Sequence, residues 1–330
     1  MPHQHYGWIS ASPPILYQIL EKEDIGQWLT GGTVVRLCQS WWHITVQEAI
    51  HQAQAAKERR PQDVFIFLLN DPKVANELAA AGLNAHFIHQ NAFLDEMLFQ
   101  PDLDVELIYD AVMTARLSRF KRHDLARLIP RPLLISSVIC DDDDEAAYGR
   151  ELRAMMPDAV ITGESRLDYL SSGEIIKYLN QSKVGLILSE VEGGNYATTE
   201  YLLCGLPVVS TGSRGGRNEW LDPEFCRIVP PDAQCIAAAV AELAAEAIDP
   251  MKIRGATLAK MARHRRKFCE LVQQIYSAFG TGRDFGREFY MGFMPKLGRW
   301  DDSTRVMERL DGKRDEASVS GPTIERGGGG

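Results

Sequence analysis

Two glutamates, Glu192 and Glu200, have seven residues between them in the stretch SEVEGGNYATTEYLLCGLPVVSTGSRGGRNEW. The first follows an apolar run at 184–189 that reads as a buried strand, and the second lies in a segment at 196–203 that reads as a helix. Gly193, Gly194 and Asn195 make the turn between them. A Gly-Gly turn lets backbone N–H groups approach a phosphate closely, and a helix opening at Tyr196 adds unpaired amides and partial positive charge. Within that helix the Glu200 carboxylate can accept two hydrogen bonds from a ribose diol. The implied chemistry is recognition of a phosphorylated nucleoside at the carboxyl end of a strand, the edge at which open α/β sheets bind ligands.

Elements that would position such a site recur along the chain. Strand-like and helix-like segments alternate from about Thr33: strands at 34–38, 64–69 and 85–89, with helices at 46–58 and 72–81. This first unit ends near 99–101. The pattern restarts with strands at 107–112, 133–139, 159–162, 184–189, 207–210 and 226–229. Helices are expected at 121–128, 144–155, 172–181 and 196–203, followed by two long ones at 232–248 and 252–278. Apolar strands alternating with helices indicate parallel sheets covered on both faces, and two such units imply two Rossmann-like domains facing across a cleft. The expected division is 1–104, 105–282, and an extension at 283–330 that turns polar and is largely disordered after about 301.

Composition narrows the class. The 330 residues carry a net charge of −9, with 45% hydrophobic and 25% charged residues, as in a soluble globular protein. The acidic balance argues against a general nucleic-acid binder. Six dispersed cysteines without a CxxC pair read as reduced thiols in a cytoplasmic protein. Neither a signal peptide nor a transmembrane run is visible, while peripheral association at the inner membrane needs only a small exposed patch. No GxGxxG follows the first strand, which disfavours an NAD-dependent enzyme.

Several other residues carry two readings each. His43, in QSWWHIT, can face the cleft and hold an acceptor hydroxyl or donor sugar, with Trp41 and Trp42 stacking on a sugar ring. The same three residues equally make a packed aromatic corner. The acids at 141–144 can bind a divalent ion or serve as a charged loop and first helical turn. His86 and His89 read as core or hinge residues.

The glutamate pair, followed by Cys204-Gly205-Leu206-Pro207-Val208-Val209-Ser210, resembles the signature of retaining GT-B glycosyltransferases, in particular glycosyltransferase family 4 (group 1). That resemblance implies an α/β, GT-B-like fold with an unusually short amino-terminal, acceptor-side domain and a donor-side carboxy-terminal domain. It also implies that Glu192 contacts the donor sugar, that the amides of Gly193, Gly194 and Asn195 hold the distal phosphate, and that Glu200 binds the ribose. The turn is Gly-Gly-Asn where the family has Gly-Phe-Gly. VMTARLSRFKRH at 112–123 is similar to the family's Gly-Arg-Leu-x-x-x-Lys element, with Ala115 in place of the glycine. Arg116 and Lys121 then neutralise the donor diphosphate as the glycosidic bond breaks; His123 either supports Lys121 or caps its turn. NAFLDEMLFQP at 91–101 resembles the family's interdomain linker, in which Asn91 lines the cleft or simply belongs to a domain joint. The loop at 212–217 would lie near the donor, making Gly212, Arg214 and Arg217 further contacts or a basic surface turn.

Together these features lead us to expect transfer of a sugar from a nucleoside diphosphate sugar to a hydroxyl of a glycan, lipid-linked or other acceptor. Retention of configuration, no metal requirement, no other cofactor and a place in polysaccharide or glycoconjugate synthesis are part of that expectation. A partner-dependent or non-catalytic nucleotide-sugar-binding module and a sugar-nucleotide epimerase are the rivals.

Overall fold

The computed structural model describes residues 6–11, 13–19, 32–40, 44–136, 143–163, 170–292 and 300–301. His43, Trp41, Trp42, Asp141, Asp142 and the tail beyond 301 lie outside the described residues. Two six-stranded sheets organise the chain.

The first sheet is built on a parallel run. Its strands are β1 (Tyr6–Ala11), β2 (Pro14–Ile19), β3 (Val35–Gln39), β4 (Val64–Leu69) and β5 (Ala85–Phe87). Helix α1 (Val46–Arg59) joins β3 to β4, and α2 (Pro72–Ala80) joins β4 to β5. Both helices begin as their sequences demand. Thr45 caps α1 in a reciprocal box with Glu48, and Asp71 caps α2 ahead of Pro72.

The pair β1–β2 lies before Thr33, where the alternating pattern was expected to begin. Pro14 sits at the first position of β2, where a missing N–H is tolerated, so the consecutive prolines that break the local pattern do not prevent pairing.

The second sheet contains β6 (Ala111–Thr114), β7 (Pro132–Ile135), β8 (Val160–Thr162), β9 (Gly185–Ile187), β10 (Val208–Thr211) and β11 (Cys226–Val229), in the order β8-β7-β6-β9-β10-β11. Every pairing is parallel. This is the doubly wound order, and its reversal lies between β6 and β9, where the crevice of such a sheet opens. Its helices are α3 (Asp143–Met155), α4 (Ser172–Asn180), α5 (Tyr196–Leu203) and α6 (Ala233–Glu246).

Two expectations need correction here. The apolar run at 107–112 enters the sheet only at Ala111; Leu107 and Ile108 are exposed, and Tyr109 makes a single bridge to Ser182. The helix expected at 121–128 is instead two 3-10 turns, Arg119–Lys121 and His123–Ala126, because Arg122 between them is left-handed with φ 59°.

The 29-residue helix α7 (Pro250–Ala278) joins the two halves. Ile253 and Met261 belong to the core of the second sheet. Phe268, Leu271, Val272, Ile275 and Tyr276 instead pack with Ile15, Tyr17, Leu37 and Ile66 of the first. Helix α8 (Phe285–Gly292) adds Phe285 and Phe289 to that same core, and β12 (Trp300–Asp301) pairs antiparallel with β1. The chain therefore returns to its first sheet. No helix among the described residues is long and apolar enough to cross a membrane.

Candidate active site at the facing sheet edges

Lys121 and Glu192 meet. Lys121 ends the turn that follows β6, Glu192 lies within the loop that follows β9, and Lys121 Nζ forms an ion pair with Glu192 Oε1. The two side chains are 14% and 5% exposed, so the pair is largely withdrawn from water. A second layer holds the carboxylate. Ser189 Oγ donates to Glu192 Oε1 at 2.7 Å, and Arg217 Nη1 donates to Ser189 Oγ and to the Ser189 carbonyl, each at 2.9 Å. Arg217 is fully buried, and its Nη2 reaches the Thr211 carbonyl at 2.6 Å. Burial pushes the Arg217 guanidinium down to about 10, with Glu192 pulling in the opposite direction. Arg217 thus braces the loops after β9 and β10 rather than sitting on a surface turn.

The same loops are joined through their backbones. Arg214 N–H donates to the Glu190 carbonyl at 2.9 Å, and Glu192 N–H to the Arg214 carbonyl at 3.0 Å. Arg214 is exposed and Gly212 lies in open space. Arg122 donates to Glu190 at 2.7 Å.

Arg116 and Lys121 flank one ring, Phe120, at 5.4 and 4.9 Å. Arg116 lies 3.9 Å from Glu145 of α3, which also accepts from Ser118 at 2.7 Å. His123 is fully buried behind this turn, with Nε2 3.4 Å from the Ala115 carbonyl, tying the lysine loop to the end of β6. Burial lowers its imidazole to about 4, so it is neutral.

Gly193 and Gly194 are buried, and Asn195 caps α5 from the left-handed region, φ 49°, with its side chain accepting from Thr198 N–H at 3.1 Å. The Tyr196 ring packs on the core, which leaves its backbone amide as the group it presents at the helix start. Half-buried Glu200 follows one turn on, and it raises the hydroxyl pKa values of Tyr196 and Tyr201 in addition to their burial.

The first sheet's carboxyl edge closes over this site. A Cβ on Gly194 would stand 2.1 Å from the Gln90 amide, and one on Gly216 would stand 2.2 Å from the Asn70 carbonyl. His89 Nε2 lies 3.3 Å from the Gly216 carbonyl, and His89 N–H donates to His264 Nδ1 at 3.3 Å. Burial holds His89 well below the usual histidine range. Of the core or hinge placement expected for His89, the structure shows a buried core residue that joins the two halves.

Asn70, Gln90 and Ser189 were not singled out by type or spacing. Each lies within three residues of a strand's carboxyl end, and that position was the available signal. Among the described residues, no group of three or more His, Cys, Asp or Glu side chains is placed to hold a metal ion.

No family model matches the chain, and no curated protein matches it. Solved structures do. HepE of Anabaena, determined with UDP, is 14% identical over 73% of this chain and 72% of its own, with a TM-score of 0.56. Sucrose-phosphate synthase from Thermosynechococcus elongatus is 18% identical over 74% and 68%, with a TM-score of 0.54. TarM is 11% identical over 75% of this chain and 51% of its own, with a TM-score of 0.53. With a first sheet built on a parallel run, a second that is wholly parallel, and a helix that crosses back to the first, the chain has the α/β GT-B architecture of these glycosyltransferase structures.

Proposed function

We propose that this chain is a nucleotide-sugar-dependent glycosyltransferase that moves a sugar to an acceptor hydroxyl with retention of configuration. The observation that carries the reading is the Lys121–Glu192 pair at the switch point between β6 and β9, beside the glycine turn that opens α5. HepE, whose structure was determined with UDP, shares the fold and supports a nucleoside diphosphate as ligand.

On this reading the diphosphate lies over the amides at 193–196. Glu200 accepts from the ribose, and Glu192 orients the donor sugar. Lys121 and Arg116 neutralise charge on the departing diphosphate, the group whose charge grows in the transition state. The departing phosphate takes the acceptor proton on the same face of the sugar, so configuration is retained. Two cations and the helix amides supply the charge that a divalent ion would otherwise supply, and the reaction needs no metal. The acceptor is a glycan, lipid-linked or other hydroxyl, and the setting is cytoplasmic polysaccharide or glycoconjugate synthesis.

A thermal-shift screen of UDP, GDP, ADP and their sugars tests the donor half, since a ligand of the native state raises stability with its concentration over Kd. A shift with one nucleoside diphosphate, lost in Lys121→Ala, is the expected result. No shift with any of them would contradict the reading, and binding without transfer would indicate a binding module instead.

A further inference from the structure

The side chain that shapes the donor turn comes from the other half of the molecule. Asn91 is fully buried in the 3-10 turn Gln90–Phe93 that follows β5 of the first sheet. His89 caps that turn, accepting from Asn91 N–H at 3.2 Å. Asn91 Nδ2 lies 2.9 Å from the Gly194 carbonyl oxygen, 2.8 Å from the Asn195 carbonyl oxygen and 2.8 Å from Thr199 Oγ1. Its two hydrogens are thus shared over three oxygens, two of which are consecutive main-chain carbonyls.

In a trans peptide the C=O and N–H of one unit point in opposite directions. Drawing the carbonyls of Gly194 and Asn195 toward Asn91 therefore aims the N–H groups of Asn195 and Tyr196 away from it, both to the same side. The backbone agrees: Asn195 is left-handed, with φ 49° and ψ 86°, and Tyr196 begins a right-handed helix. A left-handed residue followed by a right-handed one gathers successive N–H groups into a concave nest that suits an anion. Left-handed backbone is strained for most residues and persists where neighbours over-determine it. Asn91 is the neighbour that holds both carbonyls here. Gln90, one residue earlier, packs its side chain against Gly194, so that a methyl group there would have to displace the Gln90 amide.

We propose that Asn91 is a positioning residue for donor binding: from the first half of the chain it aims the Asn195 and Tyr196 amides that hold the diphosphate. This rests on the donor reading of the site. It makes nucleotide affinity depend on contact between the two halves, because the groups that touch the phosphate sit on one and their anchor sits on the other.

The test uses the full chain, with Asn91→Asp and Asn91→Ala, and UDP, GDP and ADP as separate calorimetric probes. Hydrogen exchange is followed on the peptide covering 193–200. In Asn91→Asp the ionised side chain cannot donate and sets a carboxylate against two carbonyl oxygens; protonated, it regains one donor. Both variants should bind the preferred nucleotide at least about tenfold more weakly at neutral pH, the effect of losing one well-placed buried donor. Acidification should narrow the gap between Asn91→Asp and wild type and leave Asn91→Ala behind, which general destabilisation does not predict. The hydrogen-bonded amides at 198–200 should exchange faster in Asn91→Ala while the strands keep their protection. Unchanged affinity and unchanged exchange would overturn the proposal, with Asn91→Ala deciding it if Asn91→Asp does not fold. Faster exchange in a protein whose wild type binds none of the three nucleotides would uphold the positioning and overturn the donor reading alone.

Discussion

At the scale of single residues, the candidate site pairs a cation with a carboxylate that Ser189 holds and Arg217 braces in turn. Glu192→Gln keeps the shape but removes the charge that faces Lys121, and Lys121→Met removes the cation. Each should lower kcat by about a hundredfold to a thousandfold, the range for removing one preorganised electrostatic group. Thermal melts should show both still folded, since Ser189 continues to hold position 192. Chelation with EDTA should leave transfer unchanged, as measured by release of the nucleoside diphosphate.

His123 makes a separate, pH-dependent prediction. Its folded-state pKa of about 4 lies below the ordinary 6.5, with burial the main cause, Lys121 adding to the fall and Asp124 opposing it. The unfolded chain therefore takes up a proton that the folded chain refuses. The contribution is present above about pH 6.5 and is lost as pH falls toward 4, on the order of 3 kcal/mol in full. Urea midpoints in steps across that range should fall with pH in wild type and fall less in His123→Gln.

Glu192, Glu200, Arg116 and Lys121 could be picked out as candidates because two linear motifs carry them, at 112–123 and 192–210. Asn91 was legible only as a residue of the cleft or of a domain joint, and its partners were not legible: a side chain reaching backbone carbonyls more than a hundred residues away leaves no local pattern.

At the scale of elements, glycines show how tightly the two edges close. Gly216→Ala would place a methyl carbon 2.2 Å from the backbone carbonyl of Asn70, which cannot swing away. It should cost about 1–3 kcal/mol, as overpacking does. At Gly194 the obstacle is the flexible Gln90 amide, so Gly194→Ala should destabilise less and disturb the donor turn more. Chemical denaturation of the two variants checks the order; Gly194→Ala as the less stable of the two would contradict this account.

Strong periodic segments were readable. The strand at 64–69 and the helix at 196–203 fall where their apolar patterns put them. The segment at 121–128 was not, because Arg122 adopts φ 59°, which its residue type does not announce. The β1–β2 pair escaped because the consecutive prolines at 13 and 14 interrupt the local pattern, although the residues that follow them are apolar.

At the scale of the whole molecule, α7 fastens the linker between the sheets. Arg265 donates to the Ala92 and Leu94 carbonyls at 2.6 and 2.9 Å and pairs with Glu96 at 2.6 Å. Arg254 reaches the Glu96, Phe99 and Leu203 carbonyls at 2.6, 2.6 and 2.7 Å. Arg265→Ala should cost roughly 3 kcal/mol or more, because it strips a buried cation from two carbonyls and a carboxylate. Calorimetry should show a lower midpoint and a broadened transition as the halves lose their common clasp. That the helix at 252–278 is long was visible in the sequence. That its second half serves the first sheet was not, since both faces it packs on are simply apolar.

The most direct measurement is release of nucleoside diphosphate from a panel of nucleotide sugars, with and without hydroxyl acceptors, by wild type, Glu192→Gln and Lys121→Met. We expect release by wild type from one donor class, faster with an acceptor, and a loss of at least about a hundredfold in both folded variants. Equal release by all three proteins, or none by wild type from any donor in the panel, would contradict the assignment.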